Sequence, residues 1–399
     1  MGCSTNRYRI GDLCEFYRGA SVPRTRMHGS GDYLYLHYGD LYKGFSYRID
    51  VEHPQKPIPH ILDSEKIKDE QRLLDQDIVY VLTSETVDDL GHSFLFNNPQ
   101  HVPAVAGTET TIVRVKDHCV LLPAYLNYLM HSPRFLKILR QYVRGMKVFR
   151  VHPNDVARIE IELPGIETQG KVVSMLDAIH EKLLVDARTN GYLFNLAATQ
   201  FNEALRHGSE EVKLSRIVKF EDSKRIPLNS RDRACRQGPF PYYGAASVMD
   251  YVDDYIFDGP RILLGEDGTV VTSDGHPVLQ YVWGKYWVNN HAHVLRPSGA
   301  YSLESIYMAL SMASASRLVT GAVQPKINQR NLGNLSVLMP APDSLGFLKP
   351  IFSSYRTRIE ENRRLDNLRD SLLPKLMSGE IDVSKVEVPT PPNSHLSGR

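Results

Sequence analysis

The chain has 399 residues, 42% hydrophobic and 23% charged, with a formal net charge of +1. That is enough apolar material for a sizeable core, which excludes a largely disordered protein, and the length predicts two to four domains. Cys3, Cys14, Cys119 and Cys235 form no C-x-x-C pair and no apolar run approaches 18 residues; this speaks against a disulfide framework, a cysteine zinc site, secretion and a membrane span, and suits a reducing cytoplasm.

The chain opens on Met1-Gly2-Cys3, but Asn6 stands where a myristoylation signal needs Ser or Thr. RIGDLCEF follows from Arg9, and Leu126 to Tyr142 has the period of an amphipathic helix. From Arg134 to Arg150 there are six basic residues (Arg134, Lys137, Arg140, Arg144, Lys147, Arg150) and no acid. Gly145 to Pro164, GMKVFRVHPNDVARIEIELP, ends in an alternating stretch (Ile159, Ile161, Leu163) that predicts a short strand. The next residues, Gly165 to Lys171, have the spacing of a phosphate-binding loop. Val172 stands where a hydroxyl should meet magnesium, however, and Glu167 would set a carboxylate against phosphate, so nucleotide binding is not expected.

A long helical pattern runs from Ile166 to Leu205, with Val172, Leu176, Ile179 and Leu183 near heptad spacing. KLSRIVKF then begins at Lys213. Lys224 to Arg236 holds five basic residues against Asp232. Glu221-Asp-Ser-Lys224 contains the acid-x-Lys fragment of many nucleases, which means little without an upstream acid on a neighbouring strand. His291 and His293 could face one side of a strand, but no third metal ligand is evident. Pro241 to Ala246 and Trp283 to His293 are rich in aromatic and amide side chains, a composition able to meet base edges and phosphate. Ile306 to Val319 predicts a helix, Ala313 to Gly333 holds Arg317, Lys326 and Arg330 without an acid, and Ser344 to Leu376 is a second long helix that Pro374 should kink or end. Its seam includes Tyr355, Ile359, Leu365 and Leu372.

These elements repeat. Gly321 to Pro340, GAVQPKINQRNLGNLSVLMP, spans the same separation as Gly145 to Pro164, with Leu335, Val337 and Met339 alternating at its end. An offset of 172 superposes Ile179 on Ile351, Asn190 on Asn362, Leu193 on Leu365 and Leu196 on Leu368. RIGDLCEF matches KLSRIVKF. Four matches in one order imply a mixed α/β unit, a long helix, a second unit and a second long helix. Each helix spans roughly 50–60 Å, and the simplest partner for each is the other, antiparallel. Asn190 and Asn362, at equivalent places, are the candidate register-setting residues of that pair. There is no G-x-G-x-x-G loop and no Asn/Asp/Ser-Pro-Pro-aromatic motif; the one Pro-Pro lies in the tail.

The paired Gly-to-Pro segments, PYYGAASVMDYVDDYIFDG, the YWVNNHAHVL stretch and the closing LRDSLLPKLMSGEI together resemble the specificity (S) subunits of type I restriction–modification enzymes over nearly the whole chain. Tyr33 to Asp40 matches Tyr242 to Asp250 only loosely. The resemblance implies an α+β fold in pseudo-two-fold repeat: a first target recognition domain over 1–165, a spacer helix over 166–206, a second recognition domain over 207–342, a second spacer helix over 343–380 and a disordered tail over 381–399. It implies a non-catalytic subunit that binds a bipartite site in double-stranded DNA, needs no cofactor of its own, and scaffolds methyltransferase subunits, two of them, with restriction/translocase subunits as further partners. The expected DNA-binding residues are Arg144, Lys147, Arg150, Tyr242, Tyr243, Lys285, Asn289, Asn290, Lys326, Asn328, Gln329 and Arg330. An autonomous nuclease and a stand-alone regulatory DNA binder are the alternatives.

Overall fold

The computed structural model describes residues 6–42, 44–321, 325–383 and 386. The chain divides into two units, Met1–Leu184 with Arg363–Arg399, and Val185–Asn362. Both are wired alike. In the first, Asn6–Arg9 pairs antiparallel with Glu160–Leu163, a one-turn helix Ile10–Leu13 follows, and Cys14–Arg18 enters a five-stranded sheet beside Thr110–Val115 and Ile78–Val81. In the second, Ser209–Lys213 pairs with Ser336–Pro340, Leu214–Ile217 is the short helix, and Val218–Phe220 enters a four-stranded sheet beside Ala292–Pro297 and Arg261–Gly265. Alternation sets these faces: Ile161 and Leu163 point inward between exposed glutamates, whereas the continuous apolar run Ile78–Val81 is buried on both sides, as a central strand requires. A parallel pair recurs as well, Tyr33–Leu36 with Ala104–Ala106 and Gln237–Tyr243 with Lys285–Val288. The loosely matching segments Tyr33 to Asp40 and Tyr242 to Asp250 therefore begin on equivalent strands. Tyr35 and Tyr242 even do the same work, each sending a buried hydroxyl to upstream backbone: Tyr35 donates to the Ala20 carbonyl at 2.7 Å, and Tyr242 accepts from the Leu228 N–H at 2.9 Å.

The long helices are Ile166–His207 and Leu348–Ser378. In the first unit Val172 and Leu176, early in one helix, share a core with Leu373 and Leu376, late in the other. In the second unit Ala197 and Phe201, late in the first helix, share a core with Leu348 and Phe352, early in the second. That is the pairing of an antiparallel pair. Pro374 does not end its helix, which runs on to Ser378: the ring costs its N–H bond and crowds the carbonyl one turn back, but buried Leu373 and Leu376 hold the last turns to the core. The helix expected over Leu126 to Tyr142 is broken, because Ser132 caps a new one at Pro133; the pieces are Pro123–Met130, Pro133–Leu139 and a 3-10 turn. The phosphate-loop spacing at Gly165 is plain helix from Ile166, with Gln169 fully buried and bonded to Leu122, Val120 and Pro164 backbone. Asn190 is buried with neither amide atom bonded, and Asn362 Oδ1 is likewise unbonded, so the two asparagines do not hydrogen-bond one another. The tail expected to be disordered from 381 still packs Ile381, Val383 and Val386 on the first core; residues 384, 385 and 387–399 lie outside the described residues.

Each unit seats its sheet on the helices differently. In the first, Arg48 pairs with Asp177 at 2.8 Å, Tyr128 donates to the same carboxylate at 2.7 Å, and Tyr47, at φ 57°, lies with its ring 5.0 Å under Arg369 and 4.2 Å from His131. In the second, Tyr281 packs on Phe352 and Tyr307, donates to Glu304, and accepts from Arg356.

His180 belongs to the first seat and is 2% exposed. Burial, with the nearby Arg48 and Arg369, pushes it down from 6.5 to about 4. The unfolded chain therefore binds the extra proton between those values, and stability that is complete above pH 6.5 is lost as pH falls toward 4. Between pH 7 and 5 this one residue accounts for ~2 kcal/mol. Urea unfolding at the two pH values should show His180→Gln losing about that much less than the wild-type chain; an identical loss would place the titration elsewhere.

Candidate nucleic-acid interface

Arg144 and Arg150 form the neck of a hairpin, their N–H groups donating to each other's carbonyls at 2.9 and 2.8 Å. Gly145 makes the turn at φ +110°, where an added Cβ would meet the Val148 carbonyl oxygen at 2.1 Å, so no other residue fits there. Phe149–Arg150 pairs with Thr83–Ser84 and roots the hairpin in its unit. The Arg144 side chain reaches Asp155 at 3.1 Å and Arg150 reaches Glu109 at 3.6 Å, while Lys147 stands exposed at the tip. After the hairpin, His152 caps the short helix Pro153–Ala157.

The second unit builds the same device. Thr320 and Lys326 exchange backbone bonds at 2.8 Å, Gly321 turns at φ +88°, and Asn328 caps the helix Gln329–Gly333. Residues 322–324 lie outside the described residues. Gln329 and Arg330 are exposed on the first turn, whereas Asn328 spends its side-chain oxygen on the Asn331 N–H at 2.8 Å. The sequence thus anticipated two equivalent segments, and the fold brings Arg144, Lys147 and Arg150 together on one, Lys326, Gln329 and Arg330 on the other.

The aromatic and amide stretch behaves otherwise. Tyr242 is 1%, Tyr243 7% and Asn289 3% exposed. Tyr243 packs edge-on to Tyr286, and the Asn289 side chain accepts from the His291 N–H at 2.7 Å. These three side chains are packed into the framework of their unit. Lys285 and Asn290 are exposed, Lys285 lying 4.6 Å above the Tyr255 ring.

Unforeseen in the sequence was the charge network that roots the second hairpin. Arg225 pairs with Glu266 at 2.6 Å and Lys326 with Glu266 at 3.2 Å; Glu221 holds both Lys224 at 2.7 Å and Arg261 at 2.6 Å. Burial pushes the Glu221 carboxyl up, but bonds from Lys224 and Arg261 outweigh it and hold it below the usual carboxylate range; Glu266 is likewise held down, chiefly by Arg225. The two Glu221 oxygens are spent on Lys224 and Arg261, so here the fragment ties the charge network together. Among the described residues Asp222, Glu266 and His293 are the group close enough to surround a cation. Arg225 already neutralises both acids, and the two ring nitrogens of His293 are engaged by Asp222 at 2.6 Å and the Ile327 carbonyl at 2.8 Å. His291 turns instead to Asp267 at 2.6 Å.

The family of the type I restriction modification DNA specificity domain matches residues 5–189 and 207–344. The chain belongs to that family. A Haemophilus influenzae protein carrying the name of a type I restriction enzyme specificity subunit is 30% identical over 142 residues, 35% of this chain and 36% of that protein, so the chain matches about a third of that relative. The crystal structure of the S subunit of a type I restriction–modification system from M. genitalium shares the fold at a TM-score of 0.57 and 17% identity, covering 94% of this chain and 96% of that one. A structure of the S subunit from Thermoanaerobacter tengcongensis aligns at 14% identity and a TM-score of 0.34 over 94% of this chain and 97% of that one. Two family matches, one ending within the first long helix and the other just before the second, agree with the repeat of hairpin and capped helix in each unit. No helix among the described residues is long and apolar enough to cross a membrane.

The network yields a direct expectation. Arg225, 13% exposed, pairs with both Asp222 and Glu266; its loss leaves the two carboxylates with only His293 and Lys326 beside them, and breaking a buried pair in this way costs about 3–5 kcal/mol. Arg225→Met should lower the denaturant midpoint of the full chain accordingly, while Lys224→Met, more than half exposed, should cost under ~1 kcal/mol. Equal effects would show that burial does not govern the network.

Proposed function

We propose that this chain is the DNA-recognition subunit of a type I restriction–modification complex: two recognition domains, over 1–165 and 207–342, each bind one half of a bipartite site in double-stranded DNA. One observation carries the reading. The same glycine-turned, cation-bearing hairpin followed by a capped helix is built twice, once in each matched unit. Exposed Arg144, Lys147, Arg150, Lys326, Gln329 and Arg330, with Lys285 and Asn290, are its contacts; cations on phosphate supply affinity, and the amides are the candidates for base edges. Asn328 caps its helix and orients Gln329 and Arg330 rather than touching DNA. The spacer helices, 166–206 and 343–380, carry the docking surface for two methyltransferase subunits and set the distance between half-sites, with buried Asn190 and half-buried Asn362 contributing to register. The chain works in the cytoplasm and is not itself catalytic; methylation and DNA translocation belong to its partners, restriction/translocase subunits included.

Co-expression tests this. The purified chain should neither methylate nor cleave DNA, and its complex with two methyltransferase subunits should methylate a split site. Methylation by the isolated chain with S-adenosylmethionine, or cleavage with magnesium, ends the reading.

The helices give a second test. Four residues inserted after Thr189 and four after Glu361 lengthen each helix by roughly 6 Å and rotate it by only about 40°. B-DNA rises about 3.4 Å per base pair, so mapped methylation should move to the same half-sites with a spacer one or two base pairs longer. An unchanged spacer at full activity would mean that the helices do not set the distance.

A further inference from the structure

The first hairpin carries something phosphate binding does not use. Met146, at its tip, is 90% exposed, more than any other exposed large hydrophobic among the described residues, and Val148 beside it is 41% exposed. A lone apolar side chain in water is common, but this one is held out. Its hairpin neck is closed by two backbone bonds, its glycine turn admits no Cβ, and its far strand pairs with Thr83–Ser84. Behind the neck the Val151 N–H donates to the Leu82 carbonyl at 3.0 Å and the Val151 side chain is 3% exposed. The arm is therefore set before binding, and the ordering of the tip adds little to the cost of association.

What the tip meets must accept an unbranched apolar side chain together with the cations of the same hairpin. Lys147 follows Met146 directly, and the exposed arginines Arg144 and Arg150 stand at the neck. A hydrophobic groove on a protein answers the methionine but not that charge; an acidic protein surface answers the charge but not the methionine. Stacked bases between two phosphate chains answer both. Apolar wedges such as Met enter base steps, unstack them and kink the duplex, repaid by the extra surface the bent DNA then contacts. A thioether is thin and polarisable and makes favourable contacts with aromatic faces.

We propose that Met146 is an intercalating wedge: the hairpin presents it to one base step of the bound duplex while Lys147 and the two neck arginines hold the flanking phosphates. The inference rests on the DNA-binding reading above and adds a means of specificity that needs no base hydrogen bond. Pyrimidine–purine steps unstack most readily, so the wedged position should favour TA or CA/TG.

The test uses the full chain in the complex with which it purifies. Selection from random duplexes defines the bound site, and 2-aminopurine is then scanned through it. One step should brighten several-fold on binding, at a position that prefers pyrimidine–purine. Met146→Ala should abolish that signal and weaken binding about tenfold, the loss expected for one buried methionine side chain, with the salt dependence unchanged. Met146→Leu should retain the signal, and Lys147→Ala should keep the signal but flatten the salt dependence by about one charge. A base extruded for methylation brightens in Met146→Ala as well and is told apart that way. Tight binding with no Met146-dependent step overturns the wedge and leaves DNA recognition standing. Loss of a protein subunit from the Met146→Ala complex, at unchanged DNA affinity, overturns it in favour of a protein contact. Failure to bind any duplex ends both.

Discussion

Neither unit closes its core without both long helices. Val172 and Leu176 need Leu373 and Leu376; Ala197 and Phe201 need Leu348 and Phe352. These are contacts between segments separated by much of the chain, so the loop-closure entropy is met before the burial that offsets it. The first unit in particular cannot be completed until nearly all of the chain exists, since its last core residues include Leu376 and Val383. This constraint explains why Pro374 is tolerated. The helix end it weakens is held by burial of its neighbours rather than by its own hydrogen bonds.

On the frame so fixed, the exposed cations are held by weak restraints. Arg150, 59% exposed, meets a partly exposed Glu109, and such a pair contributes about 0–1 kcal/mol; Arg144, 75% exposed, meets buried Asp155, which Arg158 also reaches at 3.6 Å and would keep paired. These pairs define where the guanidinium groups sit, yet they can be exchanged for phosphate at little cost. The second hairpin differs: Lys326 is half-exposed, but its partner Glu266 is also clamped by nearly buried Arg225. Removing Lys326 should therefore leave the network closed, with Arg225 alone neutralising Glu266. Rigid backbone and loosely tethered charge are what a phosphate contact needs, because the backbone restricts geometry without taking up the charge.

Much of this was legible in the sequence, and the parts that were not share a cause. Repeats are visible because they compare the chain with itself: the Gly-to-Pro segments and the RIGDLCEF/KLSRIVKF pair came through as equivalent strands, helices and hairpins. The long helices were legible because their apolar seams run for many turns. Exposure was not. Tyr242, Tyr243 and Asn289 have side chains suited to reading bases, yet the same groups serve equally to satisfy buried backbone, as the Tyr242 hydroxyl does at Leu228. Composition does not distinguish the two uses. Nor could periodicity foresee that a serine cap before Pro133 would split one helix into two, or that Glu221 would pair with Arg261 from a later strand. Met146 looked like an ordinary apolar residue in a basic run until the glycine turn placed it at a tip.

The repeat is one of wiring, not of surface, and the seats make the difference concrete. In the first unit the sheet meets the helices through Arg48, Asp177, Tyr128 and Arg369, with His131 and His180 buried among them and both pushed down to about 4, mainly by burial. In the second unit the corresponding seat is a cluster of Tyr281, Tyr307 and Phe352, closed by Arg356 and Glu304. Burial pushes the Tyr281 and Tyr307 hydroxyls up, away from any titration in acid. A buried neutral histidine loses its contribution once the unfolded chain can take the proton, below about pH 6.5; a buried tyrosine does not. Two domains of like wiring thus rest on unlike seats, one holding buried histidines and the other a cluster of rings. Because each seat is made from residues of its own unit, either sheet can change its contacts without altering how the other is held.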